Sequence, residues 1–141
     1  MNIFAMSHSK KEVKDKILSV SDVLAEHLVK VSLMPDSCNV GHWEDKIYSF
    51  LNRVPKMKGS NRYPSYNSLL RWISSDNDIL DNIIWQVCSD YKLDNDICNV
   101  ASAFTIVSEY QEWLSKHLSN TGAVTRNMVH QFLDKEIKKF L

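Results

Sequence analysis

Residues 9–35, "SKKEVKDKILSVSDVLAEHLVKVSLMP", decide the fold of this chain. Their apolar side chains recur every three or four residues, which is the spacing of one face of an α-helix. These residues are Val13, Ile17, Val20, Leu24, Leu28 and Val31. Ser9 and Glu12 have the spacing of a capping box, in which each side chain accepts a hydrogen bond from a free backbone N–H at the helix start. Pro35 ends the pattern. The stretch therefore predicts an amphipathic helix over about 9–33.

The same periodicity recurs along the rest of the chain, and glycine, proline and strand signals are scarce. It predicts further helices at about 41–54, at about 65–75, from Asp76 or Asp78, from Asp94 to about Leu118, and from Thr125 onward. The fourth helix is expected to turn inward the side chains of Ile79, Leu80, Ile83, Ile84, Val87 and Tyr91. Each apolar stripe can be buried only against another helix. The predicted fold is an all-α, single-domain bundle of about six helices over 9–141, preceded by a flexible arm at 1–8.

Length and composition restrict the class of protein further. The chain has 141 residues, of which 44% are apolar and 24% charged, and this composition is typical of one folded domain. No apolar run approaches the roughly 20 residues that cross a bilayer, so no membrane partner is expected. The first residues lack the order of charges and apolar residues of a signal peptide. With three cysteines, too few for a disulfide framework, the chain is expected to be cytoplasmic.

Charge is balanced overall but divided along the chain. Residues 46–75 carry six Lys and Arg and no Asp or Glu, whereas residues 76–112 carry eight acidic residues and one Lys. Such asymmetry speeds docking and selects protein partners. The residues expected to form a basic binding surface are Arg53, Lys56, Lys58, Arg62, Tyr63, Tyr66 and Arg71. The residues expected to form an acidic binding surface are Asp76, Asp78, Asp81, Asp94 and Asp96.

Two other interpretations of the basic segment stay open. Lys and Arg neutralise phosphates and aromatic rings stack on unpaired bases, so residues 46–75 also suit single-stranded nucleic acid. Alternatively, the segment is a solvated face, or it pairs with the acidic half of its own fold. A helix-turn-helix is excluded because its second helix would bring Asp78, Asp81 and Asp90 to the phosphates.

Catalytic and metal-binding motifs are not evident. The chain has no phosphate-cradling glycine loop, no nucleophile elbow and no zinc-protease motif. Cys38, His42 and His27 lack the second ligand pair of a structural zinc site, and Cys88 is expected to be a small buried side chain. We therefore expect no enzymatic activity, no metal and no cofactor.

One pair on the last predicted helix suggests an alternative. Arg126 and His130 stand four apart and project from one side of that helix. The pair resembles the Arg/His ribonuclease motif of HEPN-type helical domains, although the spacing is one residue shorter than the usual minimum of that family. The resemblance implies that both residues would act on a scissile phosphate.

A second resemblance covers about residues 27–70. "HLVK" at 27–30, Pro35, Trp43 with Ile47 one turn later, and "PS" at 64–65 before a leucine pair follow one order. This order resembles that of a family of small helical bacterial proteins, catalogued as domain of unknown function number twenty-nine. The resemblance implies a helical bundle in a bacterium, and it implies no activity.

The function expected from the sequence is protein–protein interaction. The chain is expected to be a small non-enzymatic regulator, immunity protein, antitoxin or adaptor. Its partner would be another protein or a second copy of itself in a homodimer. Nucleic-acid binding through residues 46–75 is the alternative, and a ribonuclease of the HEPN type is the weaker one.

Overall fold

The computed structural model of the protein describes residues 10–51, 65–74, 76–94, 97–121 and 124–139. Within these ranges it contains six helices and no strand. They are α1 (Lys10–Leu33), α2 (Val40–Leu51), α3 (Tyr66–Ile73), α4 (Asn77–Asp90), α5 (Ile97–Thr121) and α6 (Arg126–Lys138). Their buried apolar side chains form one core. The predicted all-α bundle is confirmed, and the predicted arm at 1–8 lies outside the described residues.

Helix α1 is the centre of the bundle, because α2, α3, α4 and α5 all pack against it. The six apolar residues that predicted this helix are all buried. Its C-terminal half also buries Ala25 and Val29, so the apolar face is wider there than in the N-terminal half. A helix with neighbours on several sides needs such a widened face. None of the described helices is long and apolar enough to cross a membrane.

Three helices begin at residues whose side chains accept backbone hydrogen bonds. The Ser65 hydroxyl accepts from the Ser68 N–H at 3.3 Å and starts α3. The Asp76 carboxylate accepts from the Asp78 N–H at 2.9 Å and starts α4. The Thr125 hydroxyl accepts from the Met128 N–H at 3.2 Å and starts α6. These contacts satisfy donors that have no partner within the helix. The predicted starts at Asp76 and Thr125 are confirmed.

The prediction for the inward face of α4 is partly wrong. Ile79 and Tyr91, which were expected to point inward, are 43% and 41% exposed. The buried residues of this helix are Leu80, Ile84, Val87 and Cys88. Helix α4 lies on the outside of the bundle and packs against α1 and, to a smaller extent, α5. One principal neighbour covers a narrow stripe only, so the apolar residues at the edges of that stripe stay uncovered.

Helix α6 packs against α2 and α5. Its buried apolar residues are Val129, Leu133 and Ile137. Phe132 is half-buried and stacks on Trp113 with 4.7 Å between the ring centroids. This aromatic contact joins α5 to α6 beside the fully buried ring of Tyr110.

The hydroxyl of Tyr110 provides a test of this packing. The side chain is fully buried, and its oxygen has no hydrogen-bond partner among the described residues. A buried hydroxyl without a partner costs about 1–3 kcal/mol. Tyr110→Phe keeps the ring, so we expect the free energy of unfolding in urea to stay unchanged or to rise by about 1 kcal/mol. Tyr110→Ala, the control, should lower it by about 3–5 kcal/mol. A clear loss of stability in the Phe variant would contradict this packing.

Candidate functional site

An apolar groove lies on the surface between α1 and α4. Its volume is about 410 Å³, and its lining residues are Asp22, Val23, Glu26, Ile79, Asn82, Ile83, Gln86 and Val87. The four residues 79, 82, 83 and 86 have the spacing of one helix face. Val23 and Ile79 stand at 39% and 43% exposure on opposite sides of the groove, and Val87 is buried. The groove therefore presents aliphatic side chains to solvent.

Trp85 is 53% exposed on the outer face of α4, three residues after Asn82 of the groove lining. Tryptophan is highly buried on average, so an exposed indole next to an apolar groove indicates a binding surface. Asp78 and Asp81 precede Trp85 by seven and four residues, so they share its side of α4. The sequence interpretation did not single out Trp85. A helical wheel centred on Leu80 and Ile84 would have placed it outward.

Carboxylates lie on both helices on this side of the molecule. Asp22 and Glu26 of α1 line the groove, whereas Asp78 and Asp81 are exposed on the same side of α4 as Trp85, outside the groove lining. The Nζ atom of Lys30 lies 3.6 Å from Glu26 Oε1 and 5.8 Å from the centroid of the Tyr91 ring. Four carboxylates and one ammonium give this side of the molecule a net negative charge. We call the groove, Trp85 and these four carboxylates the α1/α4 surface.

The predicted acidic residues lie only in part on the α1/α4 surface. Asp76, Asp78, Asp81 and Asp94 are exposed, but Asp76 is engaged as the N-cap of α4. Asp96 lies outside the described residues. The structure adds the carboxylates of Asp22 and Glu26 on α1, which stand more than fifty residues before Asp78 in the chain. Only the packing of α4 on α1 brings these charges together.

Most of the predicted basic residues lie outside the described residues. These are Arg53, Lys56, Lys58, Arg62 and Tyr63. Of the others, Arg71 is exposed on α3 and Tyr66 is half-buried at the start of that helix. The basic binding surface therefore stays a prediction.

A second cluster of charged side chains joins α2 to α6. Arg126 donates from Nε to Asp45 Oδ1 at 2.6 Å and from its terminal nitrogen to Oδ2 at 2.9 Å. His130 Nε2 lies 2.9 Å from the same Oδ1 atom. Hydrogen bonds from Arg126 and His130 lower the pKa of the Asp45 carboxyl. The pair noted in the sequence is thus brought together, and both members bind one carboxylate of their own chain.

Glu44, beside Asp45, is only 3% exposed. Its Oε1 atom lies 3.2 Å from His130 Nδ1, and its Oε2 atom has no hydrogen-bond partner among the described residues. The pKa of Glu44 is raised to about 8. Burial is the largest cause, and the neighbouring carboxylates of Asp134 and then Asp45 raise it further. A neutral imidazole carries one N–H, whereas the two ring nitrogens of His130 face two carboxyl groups, those of Asp45 and Glu44. A proton on Glu44 allows both contacts to be hydrogen bonds.

A third cluster joins α6 to α5. Glu136 is buried, and Lys139 Nζ donates to its two carboxylate oxygens at 3.0 and 3.1 Å. The same Nζ atom lies 3.7 Å from Glu109 Oε2. The hydrogen bond with Glu136 raises the pKa of the Glu109 carboxyl. Burial would raise the pKa of Glu136, but hydrogen bonds from Glu109 and Lys139 outweigh it and lower that pKa.

Of the remaining candidates from the sequence, His27 and Cys88 have structural roles. His27 Nδ1 lies 2.8 Å from the Val23 carbonyl oxygen, and burial lowers the pKa of the imidazole. Cys88 is buried in the core as predicted, and Cys38 is exposed. Within the described ranges, no group of three or more His, Cys, Asp or Glu side chains is placed to hold a metal ion.

Comparison of the chain with protein-family models, curated proteins and solved structures finds no match. The resemblances to the family of unknown function and to HEPN-type domains therefore stay predictions.

The raised pKa of Glu44 predicts a stability that depends on pH. The folded chain holds a proton on Glu44 up to about pH 8, whereas a glutamate in the unfolded chain loses it near its ordinary pKa of 4.5. The contribution of Glu44 to the free energy of unfolding is thus complete below about pH 4.5 and is lost as the pH rises through 8. The free energy of unfolding falls by no more than about 1.4 kcal/mol per pH unit in this range. Glu44→Gln keeps the shape without the ionisation. We expect its free energy of unfolding to rise relative to the wild type between pH 5 and 8.

Urea unfolding at both pH values measures this difference. Glu112→Gln is the matched control, because Glu112 is exposed on α5. It should leave the pH dependence unchanged. Parallel pH profiles of the wild type and Glu44→Gln would show that Glu44 is ionised in the folded protein at neutral pH.

Proposed function

We propose that the protein acts by binding another protein through the α1/α4 surface, without catalysing a reaction. The exposure of Trp85 and Ile79 beside a carboxylate-lined groove carries this proposal. Binding energy at protein interfaces is concentrated in a few aromatic and aliphatic anchors surrounded by polar residues. Regulation, immunity, antitoxin and adaptor roles all use such a surface, and the identity of the partner would distinguish them.

The charge of this surface favours a basic partner over a second copy of the chain. A two-fold symmetric dimer places the same patch on both sides of the interface. Asp22, Asp78 and Asp81 would then face like charges, and like charges across an interface weaken binding. A partner with Lys or Arg around apolar side chains meets no such repulsion.

The ribonuclease alternative would use Arg126 and His130. Both side chains contact Asp45, whose carboxylate is bound by two nitrogens of the guanidinium. A scissile phosphate would have to displace this carboxylate and approach the neighbouring Glu44 and Asp134. This arrangement favours a structural role for the pair, as a connection between α2 and α6.

Capture of partners from the native host tests the proposed surface. The wild type and the double variant Ile79→Asp/Trp85→Asp would be immobilised, and captured proteins quantified by mass spectrometry. Both side chains are exposed, so the variant should fold, as circular dichroism would verify. We expect at least one protein to be captured about tenfold less by the variant, because loss of an anchor costs more than about 1.4 kcal/mol.

A matched control adds two aspartates elsewhere. Ser108 and Gln131 are exposed on α5 and α6, so Ser108→Asp/Gln131→Asp adds the same charge away from the α1/α4 surface. It should capture the partner as the wild type does. The proposed surface is wrong if every protein captured by the wild type is captured equally by the Ile79/Trp85 variant.

The two nucleic-acid alternatives share one assay. We expect purified protein to leave single-stranded RNA uncleaved, because Asp45 engages Arg126 and His130, and not to retain the RNA at low salt. Gel electrophoresis and filter binding measure these outcomes. Cleavage that disappears in His130→Ala would establish the ribonuclease. Retention that falls log-linearly with salt would establish phosphate binding by the segment 46–75.

A further inference from the structure

We propose that α6 can detach from the bundle while the other five described helices stay packed, and that loss of the proton on Glu44 promotes this detachment. Such detachment is independent of the proposed function, because it involves neither the α1/α4 surface nor its partner. The contacts of α6, the side chains that meet Glu44 and the loss of its proton together lead to this inference.

Helix α6 has fewer neighbours than the helix at the centre of the bundle. Helices α2, α3, α4 and α5 all pack against α1, whereas the principal contacts of α6 are with α2 and α5. The contacts around α1 therefore persist when α6 detaches. Proteins open in cooperative units, and a unit with few buried contacts opens at a lower free energy than the whole fold. Since Val129, Leu133 and Ile137 are buried in the attached helix, the detached state is a minor one.

Glu44 is buried where α6 meets α2. Its side chain is 3% exposed, and α6 presents to it the imidazole of His130, with Nδ1 3.2 Å from Oε1, and the carboxylate of Asp134. On α2 itself the neighbouring Asp45 adds a second like charge, and that carboxylate is bound by Arg126 of α6. Detachment of α6 therefore removes His130 and Asp134 from Glu44 and opens its carboxyl group to water.

Helix α1, the other neighbour of α2, acts on a different side of that helix. His27 of α1 interacts electrostatically with Lys46, which stands two residues after Glu44. Residues two apart on a helix project from different sides of it. The charged groups that raise the pKa of Glu44 belong to α6 and to α2 itself. The ionisation of Glu44 is thus coupled to the position of α6.

Loss of the proton leaves a buried carboxylate at the contact between α2 and α6. With α6 attached, this carboxylate lies beside the charges of Asp134 and Asp45, and its Oε2 atom has no hydrogen-bond partner among the described residues. The pKa of Glu44 is about 8 for this reason, and it returns towards 4.5 when water solvates the group. Detachment therefore releases a proton between these two values. A rise in pH up to about 8 favours it by at most about tenfold per pH unit.

Amide hydrogen exchange, measured by NMR on the full chain, tests this coupling. The wild type and Glu44→Gln would be compared at the same pH, so that the pH dependence of exchange from the open chain cancels in the ratio of their rates. Val129 and Leu133 lie within α6, and their amides report its detachment. For these amides the ratio of the wild-type rate to the Glu44→Gln rate should rise about tenfold or more between pH 6 and 8.

Two references accompany this measurement. Leu24 and Leu28 are buried in α1 and report unfolding of the whole bundle. In the wild type at pH 8 their amides should be protected at least about tenfold more strongly than those of Val129 and Leu133. Glu112→Gln changes an exposed glutamate on α5, and its α6 amides should exchange at the wild-type rate at each pH.

A second variant changes the environment of Glu44 without replacing it. Asp134 is exposed, so Asp134→Asn should fold. It removes a like charge that faces Glu44 from α6, and the pKa of Glu44 should therefore fall. The favourable effect of rising pH on detachment should then end at a lower pH than in the wild type.

Three results would overturn the inference. Equal protection of the α1 and α6 amides at pH 8 would mean that the bundle opens as one unit. A constant ratio of the wild-type and Glu44→Gln rates between pH 6 and 8 would mean that the proton on Glu44 does not control detachment. An Asp134→Asn variant with the pH dependence of the wild type would mean that the charges on α6 do not act on Glu44.

Discussion

Burial of the apolar stripe of α1 is the constraint on which the rest of the structure depends. This stripe runs the length of the helix, from Val13 to Val31, and four other helices pack around it. Helix α4 covers α1 from the outside and makes few contacts with the rest of the bundle. Its own apolar residues exceed what one principal neighbour can bury, so Ile79 and Trp85 stay in solvent. The proposed binding surface is therefore a consequence of how the core is distributed among the helices.

Helix α6 is attached in a different way, because charged groups flank its apolar contacts on both sides. Asp45 and Glu44 hold it to α2 through His130, and Glu109 connects it to α5 through Lys139. Arg126, Asp45 and Lys139 are exposed, and ion pairs of exposed groups add little net stability because water and salt screen them. These clusters consequently fix where α6 lies more than they stabilise the fold. They also explain why Arg126 and His130 share a helix face without forming a catalytic site.

The sequence predicted the features that depend on local spacing. Periodicity identified the six helices that the described ranges contain, and side chains that accept backbone hydrogen bonds located the starts at Asp76 and Thr125. Periodicity failed to predict the exposure of Ile79 and Tyr91, because an apolar stripe does not show how much of its width a neighbouring helix covers. The Asp45 contact with Arg126 spans 81 residues and has no local signal. The α1/α4 surface likewise depends on packing between distant segments, and Trp85 alone could have been found from its position off the stripe.

The most direct measurement is hydroxyl-radical footprinting of the tryptophans in the free protein. Trp85 is 53% exposed and Trp43, which serves as the internal reference, is 5% exposed. If the α1/α4 surface is open to a partner, the Trp85 indole should be oxidised several-fold faster than the Trp43 indole. Equal protection of the two rings would mean that this surface is already covered in solution, and it would contradict the account.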